Sequence, residues 1–457
     1  MLLETIFAPF VRARPICVMA RGTVERLLDA PRLDTLFART AQRQYPRELL
    51  FSSLGPLMSA VVLGVHPPVH AAYQANQAAI RVSTTALYNK LDRVETEVSA
   101  ALVRDSAERA EPVVKALRAS HPRWLPGYQI QVLDGNHLSS TAHRLKEVRD
   151  TWAAPLPGHA LVVLDQPRLL ITDVLLSEDG HAQERSLLAQ VLHHVQADQL
   201  WIEDRNFCTR GRMCGMARRG AAFVVRQHGQ FQGERLGRPT RTGTSRSGPV
   251  YEQPLCVRAP DRGETMRVRR ITLKLQEPTR DGDTELHILS NVPVHRASAP
   301  QLARLYSKRW SIETAFFEIT TTLACESKTL GSPKAALVTF CLALLAYNAV
   351  SRIKAALRSV HGRQQVHNEV SSSYLSLEIS RTYDGMMIAL PAPPWALFHE
   401  LSDQVFANVF CELASSVNLA RYQKHPRGAK KKPPERTAYQ NGKHVSTAKL
   451  LVQRVPY

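Results

Sequence analysis

The segment YSKRWSIETAFFEI, residues 306–319, places a phenol, a guanidinium and a carboxylate at Tyr306, Arg309 and Glu313. On one helix at 100° per residue, Arg309 would lie about 60° and Glu313 about 20° from Tyr306, so the three would share a narrow face. Alone, this is also the pattern of an i,i+4 ion pair on a wet surface. Two aspartates suggest more. Asp134 closes the run YQIQVLDG, Asp204 closes LWIED 70 residues later, and Glu313 follows after another 109. Three carboxylates gathered at one point repel each other unless cations join them, and magnesium prefers such hard oxygen ligands. Two ions about 3.5–4 Å apart would activate a water or a DNA 3′ hydroxyl and stabilise a leaving 3′ oxygen in phosphoryl transfer.

That chemistry requires elements that bring distant residues together. YQIQVLDG alternates as a strand, HALVVLDQPRLLITDVLL is a hairpin about a DQP turn, and LWIEDRNF and AAFVVRQ are further strands separated by helices near 182–195 and 209–218. If the first and fourth strands are neighbours, Asp134 and Asp204 meet at their C-terminal ends, and a helix crossing that edge delivers Glu313. Two rivals stay open: Asp165 in LDQP is a comparable strand-end acid, and Glu203 competes with Asp204, although strand periodicity turns them to opposite sides. SAPQLARLYSKRWSIETAFFEITTTL is expected to be one long helix, with Ser298 as its cap and Trp310 and Phe317 in the core.

The chain divides by texture. Residues 1–122 are expected to be a helical, DNA-binding domain, in which VHAAYQA and TTALYNKL, the latter capped by Ser83, have the length of a helix-turn-helix; a plain helical hairpin is the equal alternative. Residues 123–227 open an α/β core, 228–297 form a β-rich insertion subdomain, 298–360 complete the core, and 361–457 end in a basic tail. An excess of 59 Lys and Arg over 40 Asp and Glu, for a formal charge of +19, suits a polyanionic partner. The first residues lack a secretory pattern. Residues 335–350 form an apolar stretch too short to span a bilayer, so membrane association is not expected. Seven cysteines without a CxxC pattern point to a reducing compartment.

LDGNHL around Asp134, WIEDRNF around Asp204 and YSKRWSIETAFFEI around Glu313 together resemble the DDE transposases of the IS4 family of bacterial insertion sequences. The resemblance covers roughly residues 127–350. It implies an RNase H-like catalytic core interrupted by a β-rich insertion, a cytoplasmic DNA-associated protein, and metal-dependent cleavage and strand transfer by a cut-and-paste route. Asp134, Asp204 and Glu313 would be catalytic and would hold two Mg2+ ions, with Mn2+ as a substitute. The partners would be terminal inverted repeats and target DNA, handled by a homodimer. Tyr306 and Arg309 would contact phosphate near the cleaved end. The family signature places a lysine seven residues after the glutamate, and here that position is Thr320, with Lys328 further along. In the tail, Lys430, Lys431 and Lys432 would track DNA. A nuclease without strand transfer, or an inactive sequence-specific DNA-binding protein, are the alternative readings.

Overall fold

The computed structural model describes residues 3, 6–44, 49–78, 80–138, 141, 145–150, 153–261, 263–279, 282–323, 330–390, 393–425 and 444–453. Helices fill the N-terminal part and include α1 (Pro15–Leu27), α2 (Val69–Ala75), α3 (Thr84–Leu91) and α4 (Thr96–Ala116). α2 and α3 are the two expected helices residue for residue, and the Ser83 side chain accepts a hydrogen bond from the Ala86 amide. The sheet is built from β1 (Gln129–His137), β2 (His159–Asp165), β3 (Leu170–Ser177), β4 (Gln199–Glu203), β5 (Ala222–Arg226), β6 (Gly248–Arg258), β7 (Thr265–Lys274) and β8 (Glu285–Ser290). Helix α5 (Arg210–Arg218) leads from β4 into β5. Helices α6 (Ala299–Ser307), α7 (Trp310–Thr322), α8 (Pro333–His361) and α9 (Asp403–Ser415) follow the sheet.

The strand order is β3-β2-β1-β4-β5-β8-β7-β6, completed by two short segments at 234–235 and 240–245 that pair with β6. β1 and β4 are parallel neighbours, as are β4 and β5, while β2 and β3 return antiparallel. The first and fourth strands therefore lie side by side, as the aspartate argument requires. The strands of 228–297 do not make a separate sheet: β8 pairs antiparallel with β5 and carries the same ten-stranded sheet outward through β7 and β6.

Period-two alternation gives the sheet two apolar faces. On one, Val132, Val162 and Ile171 join a large core with α4, α7 and α8, and beside it Ile130, Leu200 and Ile202 pack under α6 through Leu302 and Leu305. On the other, Leu133, Leu161, Trp201 and Phe223 pack against Met213 and Met216 of α5. α8 passes the length and apolarity test for a membrane span, but its apolar window is wholly buried inside the fold, which makes it a core helix. The N-terminal helices and residues beyond 361 share that core: Phe7 meets Trp395 edge-on at 4.9 Å between ring centroids.

Candidate active site

Register places the two aspartates. Ile130 pairs with Leu200 and Val132 with Ile202, so the next residues on that face, Asp134 and Asp204, emerge together where β4 ends. Asp204 remains extended, at φ −79° and ψ 173°, and begins a tight 3-10 turn over Arg205–Phe207. Glu203 points to the opposite face. Its carboxylate accepts bonds from Arg212 Nε and Nη2 at 3.1 and 2.7 Å, both side chains are fully buried, and Arg212 lies 5.0 Å from the Trp201 ring. Asp165 is likewise committed, accepting from Gln129, Gln131 and Arg168. Both rival acids are thus committed to ion pairs with arginines.

The expected single long helix is two. After α6 the backbone tightens: the amides of Lys308 and Arg309 donate to Leu305 and Tyr306, and those of Ser311 and Ile312 donate to Lys308 and Arg309, all three residues back. The chain turns there and α7 starts, with Glu313 in its first turn, where the partial positive charge of a helix N-terminus favours a carboxylate. The one-face projection therefore does not apply, yet Tyr306, Arg309 and Glu313 still converge.

Tyr306 Oη donates to Asp204 Oδ1 at 3.1 Å. Arg309 donates through Nη1 to Asp134 Oδ2 at 2.9 Å and through Nη2 to Glu313 Oε1 at 2.7 Å. One guanidinium thus bridges two of the three acids and one phenol anchors the third. Arg309 is 8% exposed and Tyr306 8%, so in this arrangement neither offers its head group to a phosphate on the surface. Burial pushes Asp134 up to about 6, Arg309 and the Gly135 amide pull it back, and Asp204 and Glu313 add to the rise. For Arg309 burial opposes the charge, but Asp134 leads a set of neighbours that holds the guanidinium above its ordinary value. Tyr306 is raised by burial and then by Asp204.

Three carboxylates are the right donor type for a hard divalent cation, and the rise at Asp134 reflects the acids' mutual repulsion as well as burial. As folded, one oxygen of each is taken up by Arg309 or Tyr306, and among the described residues no group of three or more His, Cys, Asp or Glu is arranged to hold a metal ion. The donor set fits a metal in chemistry, and Arg309 holds part of the charge-balancing place.

The other expected site residues distribute unevenly. Thr320 lies exposed on α7, with its hydroxyl donating back to the Phe316 and Phe317 carbonyls at 2.9 and 3.3 Å. Lys328, Lys430, Lys431 and Lys432 lie outside the described residues. Trp310 and Phe317, expected in the core, are 63% and 58% exposed and flank Glu313 on α7, because Ile312, Ala315 and Ile319 supply that helix's buried face. The sequence reading missed Glu184. Its carboxylate lies against Gly135, where a Cβ would displace it, and Asn206 next to the Asp204 turn donates to its Oε2 at 3.3 Å. Only the glycine after Asp134 hinted at this close approach.

Residues 127–349, the span that holds all three acids, match the family described as Transposase DDE domain. The chain thus carries a transposase DDE domain over just under half of its length. It is an enzyme that acts on DNA, and domains of this family work with divalent metal ions. No curated protein matches the chain. Among solved structures it is similar to a piggyBac transposase synaptic complex with hairpin DNA, at 11% identity and a TM-score of 0.41, over 83% of this chain and 82% of that one.

Proposed function

We propose that this transposase excises and reinserts a DNA element by a cut-and-paste route of the IS4 type, on an RNase H-like core formed by β1 to β5. The observation that carries this reading is the convergence of Asp134, Asp204 and Glu313 through Tyr306 and Arg309. The strand order β3-β2-β1-β4-β5, with only β2 antiparallel to its neighbours in the core, supports the fold assignment.

Asp134, Asp204 and Glu313 would hold Mg2+, two ions by analogy with two-ion phosphoryl transfer, or Mn2+ in its place. When bound, the metal would supply charge for activating the attacking oxygen and for stabilising the leaving 3′ oxygen. The chain's own residues do the positioning. Tyr306 fixes the Asp204 carboxylate, the Gly135 amide fixes Asp134 at 3.0 Å, and the helix start fixes Glu313. Terminal inverted repeats and target DNA would be the substrates, handled by a homodimer, with the exposed Thr85 and Asn89 of α3 available to a groove and the basic tail available to phosphate.

The test uses purified protein, the DNA flanking its coding segment as paired ends, a target plasmid and magnesium. Joined products are expected; nicked donor alone would replace this reading with that of a nuclease. Asp134→Asn, Asp204→Asn and Glu313→Gln are each expected to lower cleavage at least about a thousandfold while end affinity persists. Near-normal cleavage by a folded variant would remove that residue from the site.

A further inference from the structure

Among the described residues, the core on α8 holds a cation without a hydrogen-bond partner. Arg352, on α8, is 0% exposed, and its Nε, Nη1 and Nη2 all lack a hydrogen-bond partner. A guanidinium has five N–H donors and no acceptor, and burying it unpaired is among the costliest arrangements in a protein interior. Arg26 of α1 is near enough to act on it as a like charge. Both guanidinium carbons lie over the same ring, Phe406 of α9, at 5.7 Å for Arg352 and 4.7 Å for Arg26.

The local charges do not balance. Arg26 donates to the Leu401 carbonyl at 2.7 Å and pairs with Asp403, but its Nε has no partner. Arg109 of α4 adds a third positive charge to the field at Arg352, and Asp403, already paired with Arg26, is the acid that opposes it. At Arg352 two further cations thus act against one committed carboxylate, and among the described residues four nitrogens of Arg352 and Arg26 have no partner. Burial, and then Arg26 and Arg109, press Arg352 down to about 9, which is still protonated at neutral pH.

We propose that a small inorganic anion binds between Arg352 and Arg26 beside Phe406. It would accept the unused N–H groups of Arg352 and Arg26 and clasp α8 to α1, so that the N-terminal helices are held on the central helix by an ion. Chloride and inorganic phosphate share this chemistry, and separate arms of the test distinguish them.

The full-length protein is melted at constant ionic strength, with sodium gluconate replaced stepwise by sodium chloride in one series and by sodium phosphate in another. The melting temperature of the wild type is expected to rise saturably, by several degrees, with one of the two. Arg352→Met keeps the stem and removes the charge; it is expected to remain folded and to lose the saturable response. Crystals grown in bromide where chloride gives the rise, or in arsenate where phosphate does, are expected to show an anomalous peak within hydrogen-bonding distance of Arg352. Equal responses in the wild type and Arg352→Met would assign the effect to surface cations and overturn the proposal, as would no saturable rise with either anion. If Arg352→Met does not fold, an anomalous peak of the matching anion, bromide or arsenate, at Arg352 in the wild type sustains the proposal and the absence of both defeats it.

Discussion

Arg309 Nη1 lies 2.9 Å from Asp134 Oδ2 although the two residues are 175 positions apart, and the same guanidinium holds Glu313. The bridge joins the sheet to the start of α7 and neutralises acids that would otherwise repel. A cation that ligates Asp134 and Glu313 must compete with it. Arg309→Gln is therefore expected to bind Mn2+ more tightly, by roughly tenfold, and to be less stable in chelator by about 2–4 kcal/mol, because it strands a mostly buried carboxylate. Titration by electron paramagnetic resonance and urea unfolding read the two quantities. Weaker Mn2+ binding in the variant would mean that the arginine shapes the ligands rather than competing for them.

The pH dependence of this site follows from Asp134, which burial raises from 3.8 to about 6. Between those values the folded chain holds a proton that the unfolded chain has released, so stability falls as pH rises through the window and levels off above about 6. The loss at Asp134 is on the order of 2–3 kcal/mol. In metal-free urea unfolding, Asp134→Asn is expected to gain on the wild type by that amount between pH 4 and pH 7.5. A difference that stays flat with pH would show that Asp134 is not raised. Because the carboxylate is neutral at low pH, the cost of Arg309→Gln should also shrink there.

Glu203 and Asp204 are adjacent in sequence and separate in role. Glu203→Gln leaves Arg212 buried without its counter-charge and is expected to cost about 3–5 kcal/mol, with Mn2+ affinity of the folded protein unchanged. Asp204→Asn keeps an oxygen that accepts from Tyr306, exchanging a charge-assisted bond for a neutral one, and is expected to cost no more than about 1 kcal/mol while metal affinity falls sharply. Urea unfolding and Mn2+ titration of both variants decide this; the reverse pattern would exchange their assignments.

What the sequence revealed follows from local rules, and what it hid depends on tertiary contacts. Alternation along β1 and β4 was enough to put Asp134 and Asp204 on one face and Glu203 on the other, and VHAAYQA and TTALYNKL carried their helices openly. The break before Trp310 was not legible. Neither Gly nor Pro marks it, and SKRW suits a helix; the turn is imposed by Tyr306 reaching Asp204 and Arg309 reaching Asp134. That same turn leaves Trp310 and Phe317 outside the core. The joining of 228–297 to the main sheet was equally hidden, since an edge strand does not announce its neighbour, and β5 presents only three residues to β8.

Thr320 offers the sharpest test of how the cleaved DNA end is held. It lies seven residues beyond Glu313, is exposed, and spends its hydroxyl proton on the Phe316 carbonyl. Thr320→Ala therefore removes only a local bond and, given alanine's helix propensity, should shift stability by no more than a few tenths of a kcal/mol with end affinity nearly unchanged. Thr320→Lys adds a charge on a four-carbon stem with open solvent around it. One new phosphate contact steepens the dependence of log affinity on log salt by about 0.9 for duplex DNA, and that slope is the measurement, made by fluorescence anisotropy on end DNA with Lys328→Ala added in both backgrounds. A steeper slope for Thr320→Lys, additive with Lys328→Ala, establishes that the position is vacant for phosphate. An unchanged slope for Thr320→Lys, together with a loss of about 0.9 for Lys328→Ala alone, would reject the vacancy and assign the contact to Lys328.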